Sequence, residues 1–146
     1  MDVIRVGIIG TGGISRAHHN AYQKAGGFEI VAVCDILPDK ALQAAQEWNL
    51  PKDCAFTSLD QMLMSVDIDT VSVCTYNQAH KQPTVTALRA GKHVFCEKPM
   101  AATLADATEM VKTAKSSGKI LQIGIHSTFS SDIQFARQLF DNGVLG

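Results

Sequence analysis

The chain has 146 residues, one domain's worth, with 46% apolar and 18% charged residues and a formal net charge of −1. That balance fits a globular domain able to bury a core and excludes a disordered segment, and it gives no electrostatic reason to expect nucleic acid or an anionic membrane as partner. No apolar run approaches the roughly 20 residues of a membrane helix, and Met1-Asp2 leads into an apolar strand without a basic n-region, so the expected compartment is the cytoplasm.

Ile4, Val6, Ile8 and Ile9 form a short β-branched run, the pattern of a strand buried on both faces. It breaks at Gly10-Thr11-Gly12-Gly13, and Ile14–Tyr22 reads as a helix. A strand, a glycine turn and a helix N-terminus together make a phosphate site, because unpaired backbone N–H groups and the helix dipole favour an anion there. Gly10 and Gly12 fill the first two positions of G-x-G-x-x-G, and Ser15, small enough for close packing, stands at the third. The same residues also fit a plain tight turn. Gly26-Gly27 stops the helix, and Phe28–Cys34 is a second strand ended by Asp35. Pro38 opens a helix with Ala41, Ala44, Ala45 and Trp48 on one face. After an extended piece at Cys54–Phe56, the spacing of Ser58 and Gln61 predicts a capping box, with Leu59, Met62 and Leu63 inward. Asp69–Cys74 is a buried strand. A helix follows over His80–Ala90, with Pro83 tolerable only in its first turn, and then a strand at His93–Cys96. Thr103 and Asp106 begin a helix facing inward through Ala107, Met110, Val111 and Ala114. A last strand at Ile120–Gly124 precedes a helix at Ser131–Asn142, with Ile133, Ala136, Leu139 and Phe140 inward.

Strand and helix alternate throughout, which predicts an α/β fold with a doubly wound, mostly parallel sheet covered on both faces. Cys34, Cys54, Cys74 and Cys96 form no C-x-x-C pair and read as small buried hydrophobes, so no metal is expected. Ligands bind such sheets at the carboxyl ends of the strands, and the residues there are unusual. Asp35 is placed to accept ribose hydroxyls and to repel a 2′-phosphate, favouring NAD over NADP; nearby Lys40 leaves room for NADP, and a plain loop or capping carboxylate is the alternative, although Asp39 is the better cap. Thr75 and Asn77 can line a ribose–nicotinamide groove. His80 either caps its helix or faces the pocket, while His18-His19 read as helix surface and packing. Glu97-Lys98 puts a charged pair just past a buried strand, where a nicotinamide ring would lie.

Gly10-Thr11-Gly12-Gly13-Ile14, Asp35, Cys74-Thr75-Tyr76-Asn77 with His80, and Glu97-Lys98-Pro99, in this order and spacing, resemble the glucose–fructose oxidoreductase / inositol dehydrogenase / rhizopine catabolism (Gfo/Idh/MocA) family. The resemblance runs from Val3 to about Gly124, and Glu-Lys-Pro carries most of its specificity. It implies a Rossmann-type NAD(P)-binding domain over residues 1–124, with a dinucleotide contacted by Gly10, Thr11, Gly12, Gly13, Ile14, Asp35, Thr75, Tyr76, Asn77, His80, Glu97, Lys98 and Pro99. It also implies a cis peptide before Pro99, and Lys98 as the residue that contacts a substrate hydroxyl and assists proton transfer during hydride transfer. A lowered lysine pKa would suit that task. Tyr76 stands where proline is more usual, Ser15 where glycine or alanine is frequent, and Ile125-His126-Ser127-Thr128-Phe129 where an arginine-phenylalanine pair often follows.

Family members resemble one another in carrying a second α+β domain that supplies much of the substrate pocket, an Asp/His pair and usually the oligomer interface. Residues 125–146, ending in Gly143-Val144-Leu145-Gly146, look like the connector into that domain. Two readings follow: the cofactor half of a dehydrogenase acting on a sugar, inositol or related polyol, expected to be inactive as these residues alone, or a dinucleotide-binding or sensing module without chemistry. Lys98 beside Glu97 favours the first.

Overall fold

The computed structural model describes residues 3–144; Met1-Asp2 and the Leu145-Gly146 end of the expected connector lie outside the described residues. Six strands, β1 (Ile4–Ile9), β2 (Phe28–Cys34), β3 (Ala55–Phe56), β4 (Thr70–Val73), β5 (His93–Cys96) and β6 (Leu121–Ile123), form one sheet in the order β3-β2-β1-β4-β5-β6. Every pairing is parallel. The helices between them are α1 (Gly13–Ala25), α2 (Pro38–Glu47), α3 (Leu59–Ser65), α4 (Lys81–Arg89) and α5 (Leu104–Ser117), and α6 (Ser131–Asp141) follows the last strand.

The β-branched runs become central strands because both their faces are covered. Val6 and Ile8 point into one layer with Ile30, Val33, Cys74 and the Ala44-Ala45 face of α2. Ile9, Val71, Val73, Val94 and Cys96 point into the other, against Met62 of α3, Val85 and Leu88 of α4 and Met110 of α5. β2 serves both layers through an irregularity: Val6 pairs with Ile30 but Gly7 pairs with Ala32, so Val31 is skipped. The extra residue reverses the side-chain alternation there, sending Val31 and Ala32 to one layer and Ile30 and Val33 to the other.

Helix starts follow local chemistry. Pro38 occupies the first turn of α2. Thr103 Oγ1 accepts the Asp106 N–H at 3.1 Å and donates to its carboxylate at 2.7 Å. At α3 only half of the predicted box forms, Ser58 Oγ accepting the Gln61 N–H at 3.4 Å. Asp39 is not the cap of α2; Leu37 holds that position without a side-chain cap, and Asp39 sits inside the first turn.

Two inward faces need correction. On α5, Val111 is exposed, and Thr113 is buried alongside Met110. On α6 the apolar stripe exists in sequence but is not buried among the described residues: Ile133, Ala136 and Phe140 are exposed, Leu139 is half-buried, and no residue of the helix is buried.

The sheet order places its switch point between β1 and β4, where consecutive connections leave in opposite directions and a crevice opens at the carboxyl ends. Backbone bonds keep those ends level. The N–H groups of Gly10, Asp35, Cys74, Glu97 and Gly124 each donate to a carbonyl at the end of the neighbouring strand, over 2.7–3.1 Å.

Candidate functional site

Gly10 ends β1 at φ +84°, where a Cβ would lie 2.9 Å from the Cys74 carbonyl carbon and the Thr75 nitrogen. This glycine is therefore required by the protein itself, to let the ends of β1 and β4 close. Gly12 and Gly13 differ: a Cβ at either would meet no protein atom within 4 Å. Gly12 is the N-cap of α1, no side chain caps this helix, and Ile14 in its first turn is exposed. Ser15 is fully buried and donates from Oγ to the Gly12 carbonyl at 2.5 Å, so it packs as the third glycine would. The result is an uncapped helix N-terminus behind a surface without side chains, which fits an anionic group on the backbone amides.

Asp35, at the end of β2, is engaged more fully than the sequence suggests. Its Oδ2 accepts the Thr11 N–H at 2.8 Å and the Thr11 hydroxyl at 2.9 Å, and its Oδ1 accepts the Leu37 N–H at 3.0 Å. A carboxylate has about four acceptor positions, so Oδ1 retains one for a hydroxyl donor. Burial pushes the Asp35 carboxyl up, but the bonds from Leu37 and Thr11, with the charge of Lys40, outweigh it and hold the group below the ordinary carboxylate range. The bonds that stabilise the turn are therefore intact at neutral pH and are lost as the pH falls through that lowered value.

A cleft of about 210 Å³ opens beside the turn, between Thr11, Gly12, Gly13 and Arg16 on one side and Lys40, Gln43, Ala44, Glu47 and Trp48 of the α2 region on the other. Arg16 is tied across it to Glu47, with contacts of 2.9–3.2 Å. The cleft is smaller than typical ligand pockets of about 300–1,000 Å³, so it takes one part of a dinucleotide at most.

Past β4, Tyr76 and Asn77 are exposed and Thr75 is half-buried, its hydroxyl oxygen buried without a partner. His80 takes neither of its expected roles. It occupies the N-cap position of α4 but makes no side-chain cap, and it is fully buried rather than facing a pocket. Its Nδ1 lies 2.7 Å from the Pro99 carbonyl and its Nε2 3.0 Å from the Thr75 carbonyl. The ring ties the loop after β4 to the loop after β5, with an N–H donated to one of them in either tautomer.

Past β5, the Lys98–Pro99 peptide is cis, and Lys98 and Pro99 are exposed. Glu97 does not form the expected charged pair with Lys98. Its carboxylate turns inward, taking His18 Nε2 at 2.9 Å and the Lys98 backbone N–H at 3.1 Å. His18 is thus a buried partner of the strand-end loop and not helix surface; its spacing with Ser15 and Tyr22 on the inward face of α1 is the signal that marks it. His19 behaves as expected, stacking on Trp48 with ring centroids 4.9 Å apart. Cys34, Cys74 and Cys96 are buried and Cys54 is half-buried. Burial pushes the Cys34 and Cys96 thiols up to about 11, so both stay protonated and inert at neutral pH.

The carboxyl ends of the strands thus carry a glycine turn free of side chains, an ionised carboxylate with one acceptor position left, and an exposed lysine. The chain is similar to known proteins. Residues 4–125 match the GFO_IDH_MocA family, described as an oxidoreductase family with an NAD-binding Rossmann fold. The chain is 40% identical over 144 residues to D-glucoside 3-dehydrogenase of Escherichia coli K12, covering 98% of this chain and 40% of that protein. Inositol 2-dehydrogenase of Gluconacetobacter diazotrophicus is 34% identical over 143 residues, covering 97% of this chain and 42% of its own length. The crystal structure of the WlbA dehydrogenase from Bordetella pertussis, in complex with NADH and UDP-GlcNAcA, superposes with a TM-score of 0.91 at 29% identity, covering 97% of this chain and 43% of that one. The chain thus spans about two-fifths of the length of these relatives. It belongs to the Gfo/Idh/MocA oxidoreductase family, as an NAD-binding Rossmann domain of that family.

Proposed function

We propose that the chain is the cofactor-binding half of an NAD-dependent dehydrogenase that moves a hydride between nicotinamide and a hydroxyl carbon of a sugar, inositol or related polyol. The observation that carries this is the open, side-chain-free face of Gly12 and Gly13 at the uncapped start of α1, in line with an exposed Lys98 past the end of β5, on the same side of the sheet. The pyrophosphate lies on the turn formed by Gly10, Thr11, Gly12, Gly13 and Ile14. The adenosine ribose gives a hydroxyl proton to the remaining acceptor position of Asp35, and Thr75, Tyr76 and Asn77 line the nicotinamide side. His80 and Glu97 hold the loops rather than touching the nucleotide, and Pro99 shapes the turn that presents Lys98. Lys98 exchanges a proton with the substrate hydroxyl as the hydride moves. NAD is preferred because the ionised Asp35 repels a 2′-phosphate and Arg16 is already neutralised by Glu47.

Residues 125–146 act as the connector toward a substrate-binding domain, in keeping with the uncovered stripe of α6 and with the greater length of the relatives. On this reading turnover needs that domain as well as the nucleotide-binding half. The names of the glucoside and inositol dehydrogenases support the polyol class of substrate.

Trp48, the one tryptophan in the sequence, lines the cleft beside the turn and gives a direct test. Titration with NADH is expected to quench Trp48 emission and to raise nicotinamide emission excited through the indole, saturably and reversed by excess NAD+. Nicotinamide signal without loss of Trp48 emission would place the nucleotide elsewhere and overturn this assignment.

A further inference from the structure

Beyond the residues assigned to nucleotide and substrate, the site holds one buried pair of titratable side chains, His18 and Glu97, with side chains only 9% and 12% exposed. His18 leaves the inward face of α1 and lies edge-on to Phe95, with ring centroids 5.3 Å apart and planes at 73°. Its Nε2 reaches Glu97 Oε1 at 2.9 Å, while Glu97 Oε2 accepts the Lys98 N–H at 3.1 Å. On a third side the backbone of Gly124 closes in, so that a Cβ there would lie 3.1 Å from Glu97 Oε1. Both Glu97 oxygens are thus engaged, one by the His18 ring nitrogen and one by the Lys98 N–H. Packing against Phe95 requires a ring but no nitrogen; the hydrogen bond is a separate feature, and being largely removed from water it is stronger than its surface counterpart.

We infer that His18 is a positioning residue: through Glu97 it fixes the Glu97-Lys98-Pro99 turn against the helix that carries the phosphate turn, so that nucleotide bound at Gly12–Ile14 and the Lys98 side chain share one frame. The inference rests on the proposed function for the meaning of Lys98 and of the nucleotide, but the constraint itself is a property of the ligand-free chain.

The test reads amide hydrogen exchange by NMR on the isotope-labelled chain, first without ligand. His18→Phe keeps a ring against Phe95 and removes the hydrogen bond to Glu97; it is expected to speed exchange of the Lys98 amide about tenfold, the upper size expected for one hydrogen bond, while the amides of Val71 and Val94 keep their rates. His18→Gln, whose terminal amide can donate to Glu97, is expected to bring the Lys98 rate back to within about threefold. Gly124→Ala brings a Cβ to 3.1 Å from both Glu97 Oε1 and the Phe95 ring, so it presses on the pair from the side opposite α1 and should also speed Lys98 exchange. With saturating NAD+, the Lys98 amide resonance should move in the wild type and move less in His18→Phe. Unchanged Lys98 exchange in both His18→Phe and Gly124→Ala would overturn the inference. So would acceleration shared by the strand amides, which marks a merely structural role. If the wild type binds no NAD+, the proposed function falls, and the ligand-free comparison still decides whether His18 holds the turn.

Discussion

Gly10→Ala is expected to lower folding stability by about 3 kcal/mol, measured as a shift of the urea unfolding midpoint at unchanged slope. Two costs combine. The residue sits at φ +84°, where a side chain costs about 1–2 kcal/mol. The new Cβ would also lie 2.9–3.0 Å from three backbone atoms of Cys74 and Thr75. Backbone cannot rotate away as a flexible side chain would, so the ends of β1 and β4 must part, loosening the 2.7 Å bond from the Cys74 N–H to the Ile9 carbonyl. Crowding of this kind costs about 1–3 kcal/mol. A loss below about 1 kcal/mol would mean that these strand ends yield easily.

Gly12→Ala should do the reverse: little to the fold, much to the ligand. Its Cβ meets no protein atom within 4 Å, and its φ of −74° suits any residue. Exchanging glycine for alanine at an N-cap costs up to about 1 kcal/mol. If the pyrophosphate rests on this backbone, the added methyl stands between them, and NAD+ affinity should fall at least about tenfold, or 1.4 kcal/mol. Calorimetry on the two proteins checks this. Unchanged affinity would mean that the phosphates do not lie on the turn. The pair of variants separates the glycine the chain needs in order to fold from the glycine it keeps open for something else.

The fold was legible where the signal is local. β2 runs over Phe28–Cys34 as its β-branched composition predicts, Pro38 opens α2 and Thr103 caps α5. Burial on both faces of β1 follows from its apolar run. What escaped depends on partners distant in sequence. His18 and Glu97 are 79 residues apart, and two adjacent histidines on a helix give no hint which one turns inward until Ser15 and Tyr22 are counted with it. The skipped Val31 arises because β2 must pair with β1 and supply both layers, which no propensity encodes. The α6 stripe has correct helical spacing, yet spacing states only that a face is apolar, not that something covers it. By sequence Asp35 can serve ribose hydroxyls or stand as a plain loop or capping carboxylate; in the fold three of its acceptor positions hold Thr11 and Leu37. The carboxylate therefore shapes the turn as well as facing the crevice.

The central claim, that this strand edge is a working NAD site, is tested most directly by calorimetric titration of the purified chain with NAD+ and, separately, NADP+. The account predicts binding of NAD+ in the micromolar to submillimolar range, weaker binding of NADP+, and a marked loss of NAD+ affinity in Asp35→Ala. Absence of heat, and of thermal stabilisation, with either nucleotide would contradict it.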